Sequence, residues 1–358
     1  MTTKKILTLI SSFCLVLIIT MPLVVACAAP TPVPTTTPAT VPPTEEVYHW
    51  RLQHSFSAAE GHFFDNFSEI VESMSGGRID ISVFSDGELV PLNDLPEATA
   101  MGTLDMCFFH PVQQEGAIPA CAVEGYPFLW NTADEFLAIH YQMGLEEAYR
   151  ELFKNTWGIH LIGVLPDDTG TFLWTEDFSC LADLKGRTSN ALAVIAEILQ
   201  GYGVSSTAVD PSDLYTSLAT GLLDGVAFGG AKCMYDMGFC EVAKYLMTPY
   251  YKLVWSPAYS INMNTWESLP ADLQSILTHA TRSNGIYMRS FYADQEKRAI
   301  AVATEEFGLK VVTLPDSDVK ALVTETRKHL DLLKTESPDS AKVVEIIEGA
   351  LELYYPGT

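Results

Sequence analysis

Between residues 48 and 109 the hydrophobic period switches repeatedly between two and 3.6, and that alternation limits the fold more than any other feature. Residues 48–54 alternate, with Trp50 and Leu52 set against His49 and Arg51, the pattern of a half-buried strand. Phe63, Phe67, Ile70, Val71 and Met74 then recur at helical spacing, and Gly76-Gly77 stops that helix. Ile79, Ile81 and Val83 restore the period of two, Asp86-Gly87 marks a turn, a short helix reaches about Met101, and 104–109 forms a third strand. This order predicts an α/β sheet with parallel neighbours. Such sheets bind ligands in the crevice beyond the carboxyl ends of their strands. That rule selects 55–62, with Glu60 and His62; Phe109-His110; and 124–130, ending in Trp130. A glutamate at a helix start also serves the helix dipole, so Glu60 has a structural reading beside the functional one.

The pattern continues. One helix is predicted over 133–155, a strand over 160–165, a break at Pro166-Asp167-Asp168-Thr169-Gly170, and a strand over 171–175. The break is a natural crossing into a second lobe, and its adjacent carboxylates read as solvated. In the stretch 183–230, Arg187 stands just before a helix start, where an anion would meet a fixed cation and a helix N-terminus. Asn190 is positioned to cap that helix, 204–209 reads as a strand, Ser212 as a second cap, and 226–228 as a strand ending in Gly229-Gly230.

Lys4 and Lys5 precede an apolar run over 6–25 that ends in Leu-Val-Val-Ala-Cys at Cys27. This resembles the lipobox of bacterial lipoproteins, which implies cleavage before Cys27 and lipidation of its thiol. Residues 28–44 are a Pro/Thr-rich tether with nothing to build a core. Loss of the leader takes the net charge from −24 to −26, a poor match for nucleic acid. Cys27, Cys107, Cys121, Cys180, Cys233 and Cys240 survive processing. Cys233 and Cys240 are close enough to bridge, but no even framework emerges.

The blocks SGGRIDISVFSDGEL, ATAMGTLDM, EGYPFLW, DLKG followed by Arg, and DLYTSLATGLLDG, in this order, resemble the extracytoplasmic solute-binding proteins of tripartite ATP-independent periplasmic (TRAP) transporters. The resemblance implies a periplasmic-binding-protein-like α/β fold, with two lobes around a ligand cleft and a long bridging helix. It further implies capture of a small organic solute, a carboxylate or an aromatic or apolar organic acid, and delivery to a membrane permease. The expected organisation is a leader over 1–26, a tether over 27–46, lobe I over 47–167 with 257–270, and lobe II over 168–256 with 305–340. A bridging helix over 271–304, which Gly285 would kink or divide, and a C-terminal helix over 341–358 complete it.

In that family an arginine after the Asp-Leu-Lys-Gly turn grips a substrate carboxylate with paired donors. Two alignments are open: Arg187 keeps the role on a shortened strand, or Ser189 occupies the arginine position and the clamp is gone. A second family arginine is absent from Thr171-Phe172-Leu173-Trp174, and the usual glutamine is Ala219. Phe109, Trp130, Trp174, Phe228 and Trp255 gather around the inferred cleft, with His110 and Glu60, which suits a bulkier or more apolar ligand. Asn264 with Glu267 reads as a helix cap.

An enzyme is disfavoured. Gly-x-Ser-x-Gly, His-Glu-x-x-His, Cys-x-x-Cys, a phosphate loop and the dinucleotide glycine fingerprint are all missing from the sequence, and its histidines lack metal-ligand spacing. No cofactor is implied. A sensory lipoprotein of the same fold remains the alternative to transport.

Overall fold

The computed structural model of the protein describes residues 46–191 and 193–355. The leader, the tether and the expected lipidation site Cys27 lie outside the described residues. The first elements are β1 (Tyr48–His54), α1 (His62–Ser75), β2 (Ile79–Phe84), α2 (Leu95–Ala100) and β3 (Met106–Phe109). On β1, Trp50 and Leu52 are buried while His49 and Arg51 face solvent. Gly76 ends α1 in the left-handed region, at φ 66°, which a side chain would resist. The single helix expected over 133–155 is two, α3 (Ala133–Tyr141) and α4 (Leu145–Trp157). Gly144 divides them at φ 93°, so the chain turns where helical spacing alone suggested continuity.

Next come β4 (Ile159–Val164), β5 (Thr171–Trp174), β6 (Thr188–Ser189), α5 (Ala193–Gln200), β7 (Ser205–Ser206), α6 (Leu214–Ala219) and β8 (Gly225–Phe228). The strand expected over 204–209 shrinks to β7. The chain continues through α7 (Ala231–Asp236), α8 (Phe239–Val242), β9 (Tyr245–Thr248), β10 (Ala258–Asn262) and α9 (Met263–Ser268). It ends with α10 (Ala271–Phe307), β11 (Lys310–Thr313), α11 (Asp316–Lys334) and α12 (Pro338–Tyr354). Two caps differ from their expected places. Asn262, not Asn264, caps α9, accepting the N–H groups of Asn264 and Thr265 at 2.9 and 3.2 Å. Ser212 does not cap α6; Asp210 caps the turn Pro211–Asp213 ahead of it, accepting the Ser212 N–H at 3.0 Å.

The strands form two sheets, in the orders β2-β1-β3-β10-β4 and β11-β9-β5-β8-β6-β7. In the first, β1 is parallel to β2 and β3, and β10 runs antiparallel between β3 and β4. In the second, β5 is antiparallel to both β8 and β9. Both faces of each sheet are packed. Phe108 enters one core while Cys107 and Phe109 enter the other, and Phe172 and Trp174 lie opposite Leu173. Burying one such aromatic side chain stabilises the fold by about 2–3 kcal/mol.

Two helices join the halves. Leu273, Leu277, Met288 and Tyr292 of α10 pack in the first lobe, and its Ala299 and Ala303 pack in the second. α10 runs unbroken through Gly285, where a Cβ would come 3.0 Å from a Leu165 methyl carbon. The glycine permits close packing there and does not divide the helix. α11 starts with Leu322 in the second core and ends with Leu330 and Leu333 in the first, so the chain returns within α11 and not after residue 340. Phe128, held at φ 56°, reaches from the first half into the second core.

Candidate functional site

A two-stranded ribbon carries the chain between the sheets. Residues 165–170 lead from β4 to β5, and 252–257 return toward β10. Leu165 N–H donates to the Pro257 carbonyl (2.8 Å), Asp167 N–H to that of Trp255 (3.3 Å) and Trp255 N–H to that of Asp168 (3.0 Å). Gly170 and Lys252 exchange both backbone bonds, at 2.7 and 3.1 Å. The residues that follow the strand ends converge on this joint: Phe56 after β1, His110 after β3, and Gly229-Gly230 after β8.

The outgoing strand of the ribbon is crowded with polar groups. Asp167 is 1% exposed, so the expectation that this acidic pair is solvated is corrected. Its Oδ2 meets His110 Nε2 at 3.1 Å. Its Oδ1, Asp168 Oδ1 and Thr169 Oγ1 are buried without a hydrogen-bond partner among the described residues, a costly state in a closed protein. Burial pushes the Asp168 carboxyl up to about 8. The Thr169 and Gly230 N–H groups pull it down, while the Asp167 and Glu296 charges add to the rise.

α10 supplies the back of the site. Glu296 accepts the N–H groups of Ala231 and Lys232 at the start of α7, together with the Tyr250 hydroxyl. A Cβ at Gly230 would lie 2.3 Å from Thr169 Oγ1 and 2.4 Å from Glu296 Oε2, so only glycine fits this approach. Arg289 Nη1 donates to the Asp167 carbonyl at 3.1 Å. Tyr292 donates its hydroxyl to Glu60 Oε1 at 2.8 Å. On the first-lobe side Phe56 stacks on His110 (5.5 Å, 15°), and Trp255 meets the same ring edge-on (6.3 Å, 87°).

The returning strand carries Lys252, 2% exposed. Its ammonium sits 4.0 Å from the Trp130 ring centroid and 5.5 Å from that of Trp255. Burial lowers this amine to about 8 against the pull of Glu124 and Asp167. Glu124 bonds His140 Nε2 at 3.1 Å and accepts the Ser256 hydroxyl. Burial alone would raise the Glu124 carboxyl, but His140, Lys252 and Ser256 together hold it below its usual range.

The residues predicted from sequence divide into two groups. His110 reaches the ribbon through Asp167, Glu60 meets Tyr292 of α10, and Phe228 is half-buried at the end of β8. Phe109, Trp130 and Trp174 are core residues, at 0%, 2% and 0% exposure, and Trp130 touches the region only through Lys252. Arg187 donates Nη1 and Nη2 to the Glu176 and Asp177 carbonyls, at 2.9 and 2.6 Å, so the paired donors expected to grip a carboxylate are occupied. Ser189 is buried and pairs with Gly225 of β8. Asn190 does not cap α5. Its amide exchanges both bonds with the Ala227 backbone, at 3.1 and 2.7 Å. Asp167, Asp168, Thr169, Lys252, Arg289 and Glu296 were not selected from sequence. Their one signal is an acidic pair inside the break between two apolar strands. Cys107, Cys121, Cys180, Cys233 and Cys240 are all free, so the Cys233–Cys240 bridge does not form.

Residues 54–335 match the bacterial extracellular solute-binding protein family 7, known as DctP. The chain belongs to that family. It is 24% identical over 253 residues to the monocarboxylate 2-oxoacid-binding periplasmic protein of Nostoc sp. (strain PCC 7120), covering 68% of each chain. A TRAP periplasmic solute-binding protein from Colwellia psychrerythraea, solved with calcium and pyruvate, superposes with a TM-score of 0.76 at 21% identity, over 86% of this chain and 95% of that one. One from Chromohalobacter salexigens, solved with (S)-(+)-2-amino-1-propanol, gives 0.71 at 25% identity, over 85% and 95%. The solute-binding protein is therefore TRAP-type, extracytoplasmic and not an enzyme. Among the described residues no helix is long and apolar enough to cross a membrane, and no group of three or more His, Cys, Asp or Glu side chains is placed to hold a metal ion.

Proposed function

We propose that this protein captures a small organic solute at the base of the cleft between its two lobes, closes over it by bending at the 165–170/252–257 ribbon, and delivers it to a TRAP permease. One observation carries the reading. Three consecutive ribbon residues, Asp167, Asp168 and Thr169, keep buried oxygens without partners where the strand ends of both lobes meet. A solute that satisfies groups from both lobes favours the closed form by its differential contacts. The aromatic wall of Phe56, His110 and Trp255 accommodates an apolar body. Relatives bind pyruvate in one case and an amino alcohol in another, which supports a small solute without choosing its charge. The lipobox resemblance supports a Cys27 lipid anchor as the means of holding the protein at the membrane.

Thermal unfolding across a panel of small carboxylates, amines, alcohols and sugars tests the capture step. A true solute at about 100 times its Kd stabilises the folded state by about 2.7 kcal/mol, and solution scattering should show compaction with the same solute. A panel without any shift would overturn the reading. Intact mass of membrane-extracted protein tests the anchor, with lipid on Cys27 expected and an unmodified thiol contradicting it.

A further inference from the structure

We propose that the loop 126–130 is a strap across the hinge, and that Phe128, a first-lobe residue seated in the second-lobe core, is the positioning residue that limits how far the lobes swing apart. The inference rests on the hinge placed at the ribbon in the proposed function and adds the element that restrains it.

The residues of this loop divide between the two cores. Tyr126, Leu129 and Trp130 pack in the first, whereas Phe128, 5% exposed, packs in the second with Phe172, Trp174 and Tyr251. The loop is also pinned beside the returning strand of the ribbon at two points. Phe128 N–H donates to the Tyr251 carbonyl at 2.9 Å, and Trp130 Nε1 to that of Val254 at 3.1 Å. Those acceptors are split in the same way, since Tyr251 lies in the second core and Val254 in the first. At its start the Tyr126 hydroxyl reaches the His329 carbonyl of α11 at 3.4 Å, and the His329 ring meets Glu197 of α5, in the second lobe, at 3.2 Å. Five residues thus touch two of the three connections between the lobes, the ribbon and α11.

The backbone shows how tightly the loop is held. Phe128 adopts φ 56°, a conformation that a bulky side chain resists and that persists only where the surroundings over-determine it. Here the anchors on either side do so, and the sharp reversal turns one ring out of the first lobe while its neighbours stay in. The link is short as well. Trp130 is fixed by Phe136 and by the Lys252 ammonium, and two residues of fully extended chain reach about 7 Å. The second core therefore cannot swing far from Trp130 without pulling the Phe128 ring from its seat.

Small rotations about the ribbon leave that seat intact, and wide opening does not. The strap keeps the free protein near the geometry in which both lobes can reach one solute. A larger binding-competent fraction raises the apparent affinity in proportion, so Phe128 acts on capture through the hinge and without touching the solute.

The test is amide hydrogen exchange of the free full chain, read by mass spectrometry, for Phe128→Ala and for Leu184→Ala. Leu184 is fully buried in the same core but lies in the turn before β6. The Leu165, Asp167, Gly170, Lys252 and Trp255 amides, all bonded within the ribbon, report the hinge, and the β1 amides report the fold as a whole. Phe128→Ala should speed ribbon exchange relative to β1 by about tenfold, while Leu184→Ala should leave that ratio within about twofold. Solution scattering on the same samples should show a larger maximum dimension for Phe128→Ala alone. Should Phe128→Ala fail to fold, Phe128→Leu, with a shorter apolar side chain, is measured in its place, and a rise of about threefold is expected. An unchanged ratio, or an equal rise in Leu184→Ala, overturns the strap and makes Phe128 a core residue only. Because no ligand enters this test, that outcome leaves the solute-binding reading intact, and the thermal panel decides that reading separately.

Discussion

The turn around Arg187 and the ribbon around Asp168 both bring charge to a strand end, and they differ in what remains unsatisfied. Arg187 is half exposed, and two of its guanidinium nitrogens bond carbonyls of its own lobe. Asp167 and Thr169 are enclosed and Asp168 is half-buried, yet three of their buried oxygens lack partners among the described residues. A cation near the surface that already bonds two carbonyls gains little from a ligand, whereas enclosed groups without partners gain the most. The comparison teaches that a conspicuous charge in the sequence is a weaker guide to the site than the satisfaction of buried polar atoms.

Several substitutions would break or sharpen that contrast. The largest stability effect is expected at Gly230. A methyl group there collides with Thr169 and Glu296, so Gly230→Ala should cost about 1–3 kcal/mol in urea unfolding. A neutral result would mean that α7 is not locked to the ribbon. Glu296→Gln keeps the shape but weakens charged hydrogen bonds to Ala231, Lys232 and Tyr250. A loss of about 1–2 kcal/mol is expected, and the same measurement checks it.

The pH dependence of stability is a subtler probe. The folded-state value of Asp168 lies above that of the unfolded chain. Its stabilising contribution is thus full below about pH 4 and is lost as pH rises through about 8. Lys252 behaves oppositely. Its folded-state value is depressed to about 8, so its contribution is present above about pH 10.5 and is lost as pH falls through 8. Denaturant midpoints should therefore dip near pH 8, and Asp168→Asn should flatten the acid side of the dip. An unchanged profile in that variant would show that Asp168 is not desolvated. The smallest effect is expected for Arg187→Ala, below about 1 kcal/mol in stability, since its bonds lie near the surface.

Much of the fold was legible in the sequence because the signals are local. The period-two alternation of Trp50 and Leu52, the helical stripe from Phe63 to Met74 and the stop at Gly76 each act within one element. Family blocks then supplied the two-lobed frame. Gly144 and Gly285 show the limit of local reading. One glycine breaks a periodic stretch because it takes a positive φ, and the other preserves a helix because Leu165 packs against it. Nothing in the neighbouring residues separates those cases. The site was less legible for the same reason. Asp167, Lys252, Arg289 and Glu296 are distant in sequence and meet only because the ribbon and α10 cross. Size and position suggest Phe109, Trp130 and Trp174 for the cleft, but the sheet faces of Phe109 and Trp174 send them into the cores, and Trp130 is buried in the first-lobe core from the loop before α3.

The most direct test of the account is the dissociation constant of whichever solute the panel identifies, measured for Arg187→Ala and Asp168→Asn beside the unaltered protein. The account predicts a change within about twofold for Arg187→Ala and a weakening of at least tenfold, or about 1.4 kcal/mol, for Asp168→Asn. Loss of binding with Arg187→Ala and undiminished binding with Asp168→Asn would contradict it.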